Sequence, residues 1–348
     1  MQRYKVVGLM SGTSLDGVDL AYCEFEYEKG WSFRLLQAET IPYTSEWNRT
    51  LTQLPFQSAE AFVLAHSALG ILYGTLVKEF CEKNQLHPDF ISSHGHTIFH
   101  QPAAGVTCQI GDGAAISAAC GFPVVCDFRT ADVALGGQGA PLVPVGDRLL
   151  FHEYHYCLNL GGIANISFEQ NGKRIAFDVC GCNLVLNALA RRVKKEYDED
   201  GRLASGGKIR SDLLERINSA AYYTKPFPKS LGREDMESDV FPLLDKPGIP
   251  VEDLLATFCE HVAQQIGRHI VSGKLFVTGG GVHNHFLIGR IKSYTSAQVV
   301  VPGRQLINFK EALIFAFLGV LRQRKETNCL CSVTGASRDN CGGAIYEP

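Results

Sequence analysis

One backbone pattern occurs twice in this sequence, and it restricts the fold more than any other feature. Residues 4–9 read as a strand, 10–17 as a turn of small and hydroxyl residues, and 18–27 and 31–40 as two further strands. A helix follows, with Phe62, Leu69, Leu72, Leu76 and Phe80 at spacings of three, four and seven. Roughly 150 residues later the order returns: strand 156–160, the Gly161-Gly162 turn, strand 163–169, the Asn171-Gly172 turn, strand 174–178. A second helix then carries Leu184, Leu186, Leu189 and Val193. The residues of the two copies hardly match; only the order of elements repeats. A doubled meander with its helices predicts an α/β fold of two lobes, which a 348-residue chain is long enough to fill. No low-complexity linker separates the halves, so the lobes are expected to share an interface.

Charge and composition exclude several classes. Lys and Arg total 33 against 36 Asp and Glu, a net charge of −3. That balance leaves no electrostatic footprint for nucleic acid or for an anionic membrane. The apolar run after residues 1–5 is interrupted by Ser11 and Gly12 and is too short for a secretory signal. No run of about 18 apolar residues occurs, so a cytoplasmic protein without a membrane span is expected. Most of the 12 cysteines, among them Cys23, Cys126, Cys157 and Cys259, sit in apolar runs and read as reduced core residues. The C-x-C pairs Cys180/Cys182 and Cys329/Cys331 lack the usual zinc spacing.

Familiar nucleotide motifs are missing. No GxxxxGK[ST] is present, and no GxGxxG follows a strand. The turn from Ser11 to Gly17 offers another device. Its small residues let backbone N–H groups approach a phosphate, Thr13 and Ser14 add hydroxyls, and Asp16 can hold Mg²⁺ directly or through water. An ordinary hydroxyl-rich hairpin would look the same. Asn159-Leu160-Gly161-Gly162 places glycines at the matching turn of the second copy, and Gly279-Gly280-Gly281 follows the strand 274–278. Asp178, at the expected end of a strand, suits a general base and equally suits a helix cap. His94, His96 and His100 stand close enough for a metal, but polar contacts to a sugar from His94 and Thr97 fit better without a carboxylate second shell. Asp127-Phe128-Arg129 follows a buried strand and leads to Asp132 and Gly136-Gly137-Gln138-Gly139-Ala140-Pro141. Arg129 has the fork to clamp a substrate carboxylate or to make a structural ion pair.

Taken together these residues resemble the anhydro-N-acetylmuramic acid kinases. The resemblance opens on Gly8-Leu9-Met10-Ser11-Gly12-Thr13-Ser14-Leu15-Asp16-Gly17-Val18-Asp19 and continues in order through Ser93–His100, Gln109-Ile110-Gly111-Asp112-Gly113, Asp127–Arg129 and Gly136–Pro141. Asn159–Asn165, Pro228-Lys229-Ser230 with Gly232-Arg233-Glu234, Gly279–Gly281, Glu311-Ala312 and Thr334-Gly335-Ala336 complete it. It implies a two-lobed actin-like fold of the sugar kinase and chaperone-ATPase type, with ATP in the cleft between lobes. The expected lobes are residues 1–130, joined by the tail 335–348, and residues 131–334. The implied activity opens 1,6-anhydro-N-acetylmuramic acid with water and phosphorylates its 6-oxygen, with ATP and Mg²⁺. The resemblance assigns ATP to Gly12, Thr13, Ser14, Leu15, Asp16, Gly17, Val18, Asp19, Asn159, Gly161, Gly162, Gly279, Gly280 and Gly281. It assigns Mg²⁺ to Asp16, the sugar to His94, Thr97, Asp127 and Arg129, the base to Asp178, and a second carboxylate to Glu311. The partner is a small amino sugar, and a homodimer is compatible with it. Three positions depart from the family pattern: Val179-Cys180-Gly181-Cys182 replaces a Gly-Pro-Gly turn, His96 a common glutamine, and Leu231 a common threonine. They keep open a different sugar or sugar acid. A nucleotide-driven switch module is the other class, disfavoured by the sugar-facing Arg129 and His94.

Overall fold

A computed structural model of the chain describes residues 2–12, 15–245 and 248–348. They form two compact units, 1–150 with 309–348 and 151–308.

In the first unit, β1 (Gln2–Ser11), β2 (Val18–Tyr27) and β3 (Trp31–Ile41) make an antiparallel meander. β4 (Phe90–Gln101) lies parallel to β1 on its other side. β5 (Val106–Ile110) folds back on β4, and β6 (Val124–Cys126) runs parallel to it. In the second unit β7 (Tyr156–Leu160), β8 (Ile163–Gln170) and β9 (Lys173–Gly181) repeat the meander. β10 (Lys274–Thr278) is parallel to β7, and β11 (Gln298–Val300) is parallel to β10. β12 (Ala344–Tyr346) returns to the first sheet against β6. The sheet orders are therefore β12-β6-β4-β1-β2-β3 and β11-β10-β7-β8-β9. Read from β3 and from β9, each runs third, second and first meander strand and then strands parallel to the first, with antiparallel β12 added at the far edge of the first sheet, so the doubling read from the sequence is a doubling of topology. The same α/β unit is present twice.

Burial explains the strand chemistry. Val6, Val7 and Leu9 of β1 are fully enclosed, as central strands with parallel neighbours require. β3, at the edge, alternates between covered and exposed residues. The helix Ala59–Asn84 lays Leu69, Tyr73, Val77 and Phe80 on the first sheet. By length and composition it would also pass for a membrane span, but this face belongs to the unit's core. Val251–Gly267 is the corresponding deep helix of the second unit.

The unit boundaries differ from the expected ones at 130/131 and 334/335, for a visible reason. The helix Val143–Leu150 packs on Arg304–Gln323: its Asp147 pairs with Lys310 at 2.7 Å with both side chains buried, and Gly146 lies against Ile314. Those contacts keep 131–150 and 309–334 in the first unit. The third strand of the second meander, expected to stop at Asp178, runs on to Gly181. Its pairing with β8 slips between Asn165↔Asp178 and Ala164↔Cys180.

One close approach fixes the helix that carries Glu311. Gly8, in the middle of β1, faces the backbone of Ala312, where any Cβ would collide with the carbonyl oxygen. Ser92 of β4 donates to the Phe315 carbonyl at 2.5 Å, one turn along, and Gly319 meets the same serine. Gly8→Ala is expected to destabilise the protein by about 1–3 kcal/mol, the usual range for overpacking. Gly30→Ala, with open space around it, should be near neutral. Denaturant unfolding of both variants checks this, and equal midpoints would refute the close approach.

Candidate functional site

The first unit gathers its polar residues around the β1–β2 turn. Leu15 N–H closes the turn on the Gly12 carbonyl at 3.3 Å, and Leu15 adopts φ +61°. Gly17, at φ +151°, passes so near the Ile41 carbonyl that no side chain fits there. Thr13 and Ser14 lie outside the described residues. Asp16 is exposed, whereas the Val18 side chain is fully buried, so only its backbone can serve a ligand. Asp19 accepts from Thr40 Oγ1 at 2.5 Å; burial and the Asp16 charge raise its pKa, against that bond.

Beneath the turn runs a chain of buried hydroxyls. Ser11 Oγ lies 2.7 Å from Tyr43 Oη and 2.9 Å from His96 Nδ1, and Tyr43 Oη lies 2.7 Å from Tyr73 Oη. Burial lowers the His96 pKa to about 4. Neither tyrosine has a local sequence signature; each reaches Ser11 from a distant element.

His94 and Arg129, expected as separate sugar contacts, are bonded to each other. Arg129 Nε and Nη2 lie 3.0 and 2.8 Å from His94 Nε2, and Nη1 donates to the Gly139 carbonyl at 2.7 Å. His94 Nδ1 lies 2.9 Å from the Gly95 carbonyl, so the ring is a neutral Nδ1–H tautomer that accepts through Nε2. Burial first, and then the Arg129 charge, hold its pKa well below the usual value. Arg129 is lowered to about 10 by burial, opposed by Glu311. With five N–H donors in all, its fork keeps capacity for an anion. Glu311 is open to water along one side yet crowded on the others. That burial raises its pKa against the charges of Arg129 and Lys310, and Asp19 adds to the rise.

The loop that holds Arg129 is itself anchored. Asp132, fully buried, accepts from Gly139 N–H at 2.8 Å, Thr334 Oγ1 at 2.8 Å, Asn340 Nδ2 at 2.9 Å and Cys329 Sγ at 3.0 Å. Thr97 accepts from Gln109 Nε2 at 3.3 Å, and Asp127, exposed at φ +60°, accepts from Thr130 Oγ1 at 2.5 Å. His100 meets Thr107, so the three histidines have three different partners. No group of three metal-ligating side chains occurs among the described residues.

In the second unit the glycine turns converge. Gly279, at φ +85°, lies against Asn159 Oδ1 and the Leu160 carbonyl, where a Cβ would approach to 2.6 and 2.8 Å. Gly281 packs on Leu160. Asn183 Nδ2 donates to the Leu160 carbonyl at 2.9 Å. The N–H groups of Cys182, Asn183 and Leu184 take the carbonyls of Gly161 and Gly162 from behind. Cys180 and Cys182 are wholly buried, and Gly181 packs under Met236. Beside the turns opens a pocket of about 670 Å³, lined in part by Asn183, Asn187, Tyr197, Gly280, Gly281 and Arg304. Asn187, Tyr197 and Arg304 went unread in the sequence because they come from three separate segments.

Asp178 is not a helix cap. The helix Asn183–Arg191 begins after Cys182, and the Asp178 carboxylate accepts from Leu231 N–H at 2.9 Å. Burial raises its pKa, opposed by that bond.

The buried histidines set a pH dependence. His261, in the second unit, is lowered to about 3 by burial, and His96 to about 4. A histidine with a depressed folded pKa binds its proton more readily when unfolded, so stability is full above about pH 6.5 and falls as pH drops. Unfolding free energy should decline from pH 6.5 toward pH 4, by up to about 1.4 kcal/mol per pH unit for each such ring. A level profile over that window would show that these rings titrate freely.

The anhydro-N-acetylmuramic acid kinase family model matches residues 4–348. The anhydro-N-acetylmuramic acid kinase of Vibrio cholerae serotype O1 is 33% identical, with 100% of this chain and 99% of that protein covered. That of Shewanella oneidensis is 34% identical with both chains fully covered. Among solved structures, the Acidaminococcus fermentans (R)-2-hydroxyglutaryl-CoA dehydratase component A aligns over 90% of this chain and 96% of its own, at 12% identity and a TM-score of 0.45.

Proposed function

The chain belongs to the anhydro-N-acetylmuramic acid kinase family, and on that premise we propose that it opens 1,6-anhydro-N-acetylmuramic acid with water and phosphorylates the freed 6-oxygen from ATP. The observation that carries the chemistry is the state of Asp178. Its carboxylate is held by one backbone N–H, burial raises its pKa against that bond, and no cation among the described residues is paired with it, the setting of a proton acceptor.

The residues fit a nucleotide. Gly161, Gly162, Gly279, Gly280 and Gly281 present backbone that a flat or anionic group can approach, and the adjoining pocket has the volume of a small-molecule site. Gly12, Leu15, Gly17 and Asp19 form a compact turn suited to phosphate oxygens, to which Thr13 and Ser14 would add hydroxyls. Asp16 and Asp19 are hard oxygen donors of the type Mg²⁺ takes, one or two carboxylates together with phosphate and water. Mg-ATP supplies the phosphoryl group and neutralises its charge.

The protein's own groups divide the remaining work. Asp178 takes a proton from water as that water bonds to the anomeric carbon. The bond from that carbon to the 6-oxygen breaks, and the 6-oxygen takes the phosphoryl group as ADP leaves. Arg129, kept rigid by His94 and Gly139, offers its remaining donors to the carboxylate of the sugar acid. Glu311, beside Arg129, and the hydroxyl of Thr97 orient sugar oxygens.

Asp178→Asn keeps the size and the Leu231 bond but cannot take the proton. Turnover should fall by about 10²–10⁴, the usual worth of a general base, with ATP affinity within a few-fold of the parent. An ADP-release assay over a panel of sugars, with the anhydro-muramic sugar and its Asp178→Asn control, tests the proposal. Faster turnover of another sugar would replace the substrate, and parent-like turnover in the variant would remove Asp178 as base.

A further inference from the structure

β9 is the edge strand of its sheet, so one row of its backbone groups has no strand to pair with. At Asp178 a single stretch, residues 222–231, takes that place. Asp178 N–H donates to the Lys229 carbonyl at 3.3 Å. The Tyr222 hydroxyl donates to the Asp178 carbonyl at 2.6 Å, and Leu231 N–H donates to Asp178 Oδ2 at 2.9 Å. Oδ1 has no hydrogen-bond partner among the described residues. Beside it the register with β8 slips, leaving Val179 as the extra residue of a bulge, a device that re-aims neighbouring side chains.

Tyr222 is held in turn. The Lys229 ammonium sits 4.6 Å from its ring centroid, and Tyr223 packs edge-on at 5.7 Å. Tyr223 Oη lies 3.0 Å from His261 Nε2, and His261 Nδ1 lies 2.7 Å from Asn218 Oδ1. A buried network anchored in the Val251–Gly267 helix thus ends on the backbone of the one residue read as the base.

We propose that Tyr222 is a positioning residue for Asp178: it and Leu231 N–H fix the residue at its carbonyl and at Oδ2, so that Oδ1 alone is presented to the water. This inference rests on the reading of Asp178 as the base. Tyr222 touches neither the reacting atoms nor the carboxylate, so its contribution is to geometry. A general base displaced by about 1 Å loses up to about a hundredfold in rate.

Tyr222→Phe removes only the hydroxyl and leaves the ring to Lys229. Its kcat should fall about tenfold or more, with the KM of ATP and of the sugar within about twofold, the pattern of a lost transition-state alignment. The acid limb of kcat against pH should keep its midpoint, because Leu231 N–H still binds the carboxylate. Leu231→Pro deletes that donor instead and should move the acid limb to higher pH, since the charged form loses a hydrogen bond. A parent-like kcat in Tyr222→Phe overturns the proposal. So does a loss of kcat accompanied by an equal loss of ATP affinity, which marks a merely structural role, or an unmoved acid limb in Leu231→Pro. Asp178→Asn measured alongside separates the failures. Parent-like turnover there removes the base itself, whereas collapse there with parent-like Tyr222→Phe removes only the positioning role.

Discussion

The contact between Gly8 and Ala312 governs much of what the first unit can do. A strand and a helix backbone meet without a side chain between them, and this brings the Arg304–Gln323 helix down onto β1 and β4. Glu311 precedes Ala312, and Phe315 follows one turn later under His94 and Arg129, with ring centroids of His94 and Phe315 4.5 Å apart. The acid and the phenylalanine that backs the His94–Arg129 pair are therefore positioned by one packing event. A bulkier residue at Gly8 would push that helix, with Glu311 and Phe315, away from β1.

The two units solve the same electrostatic problem in different ways. The first sets Arg129 and Lys310 near Glu311, so burial and opposite charge compete over that carboxylate, while Asp19 has a hydroxyl donor, Thr40. The second gives Asp178 no cation, only a peptide N–H and partial burial. A carboxylate paired with a guanidinium is a poor proton acceptor, because the pairing favours the charged form. A carboxylate with one neutral donor keeps its basicity. The proposal gives proton transfer to Asp178, the carboxylate with no cation beside it among the described residues, and orientation to Glu311.

Much of this was legible in the residues. The meander strands were, because β-branched and aromatic residues fill them and glycine or asparagine marks their turns. β5, β11 and β12 were not: the last two have three residues each, too few for a period, and they form only because a neighbouring strand is already in place. Glycines and carboxylates announced the candidate site by type. Its fastening did not, since the Leu231 N–H has no side-chain signature and Tyr222, Tyr43 and Tyr73 reach it across long sequence separations. His94 and Arg129 were each legible, but their bond to one another needed the fold. The strand containing Asp178 seemed to end there because Gly181 and the cysteines imitate a turn, yet burial carries it three residues further.

The Asp132 anchor has a consequence for how the protein is made. Thr334 and Asn340, two of its four donors, follow it by 202 and 208 residues, and Ala312 follows Gly8 by about 300 residues. The second unit is contiguous, from Phe151 to Asn308, and has its own core. On a ribosome that reads from the N-terminus, the unit begun first is finished last. β1 must stay uncovered on its helix face while the later unit emerges and closes around its own core. A chain released at residue 308 would then contain the whole second unit and lack the residues that complete the first.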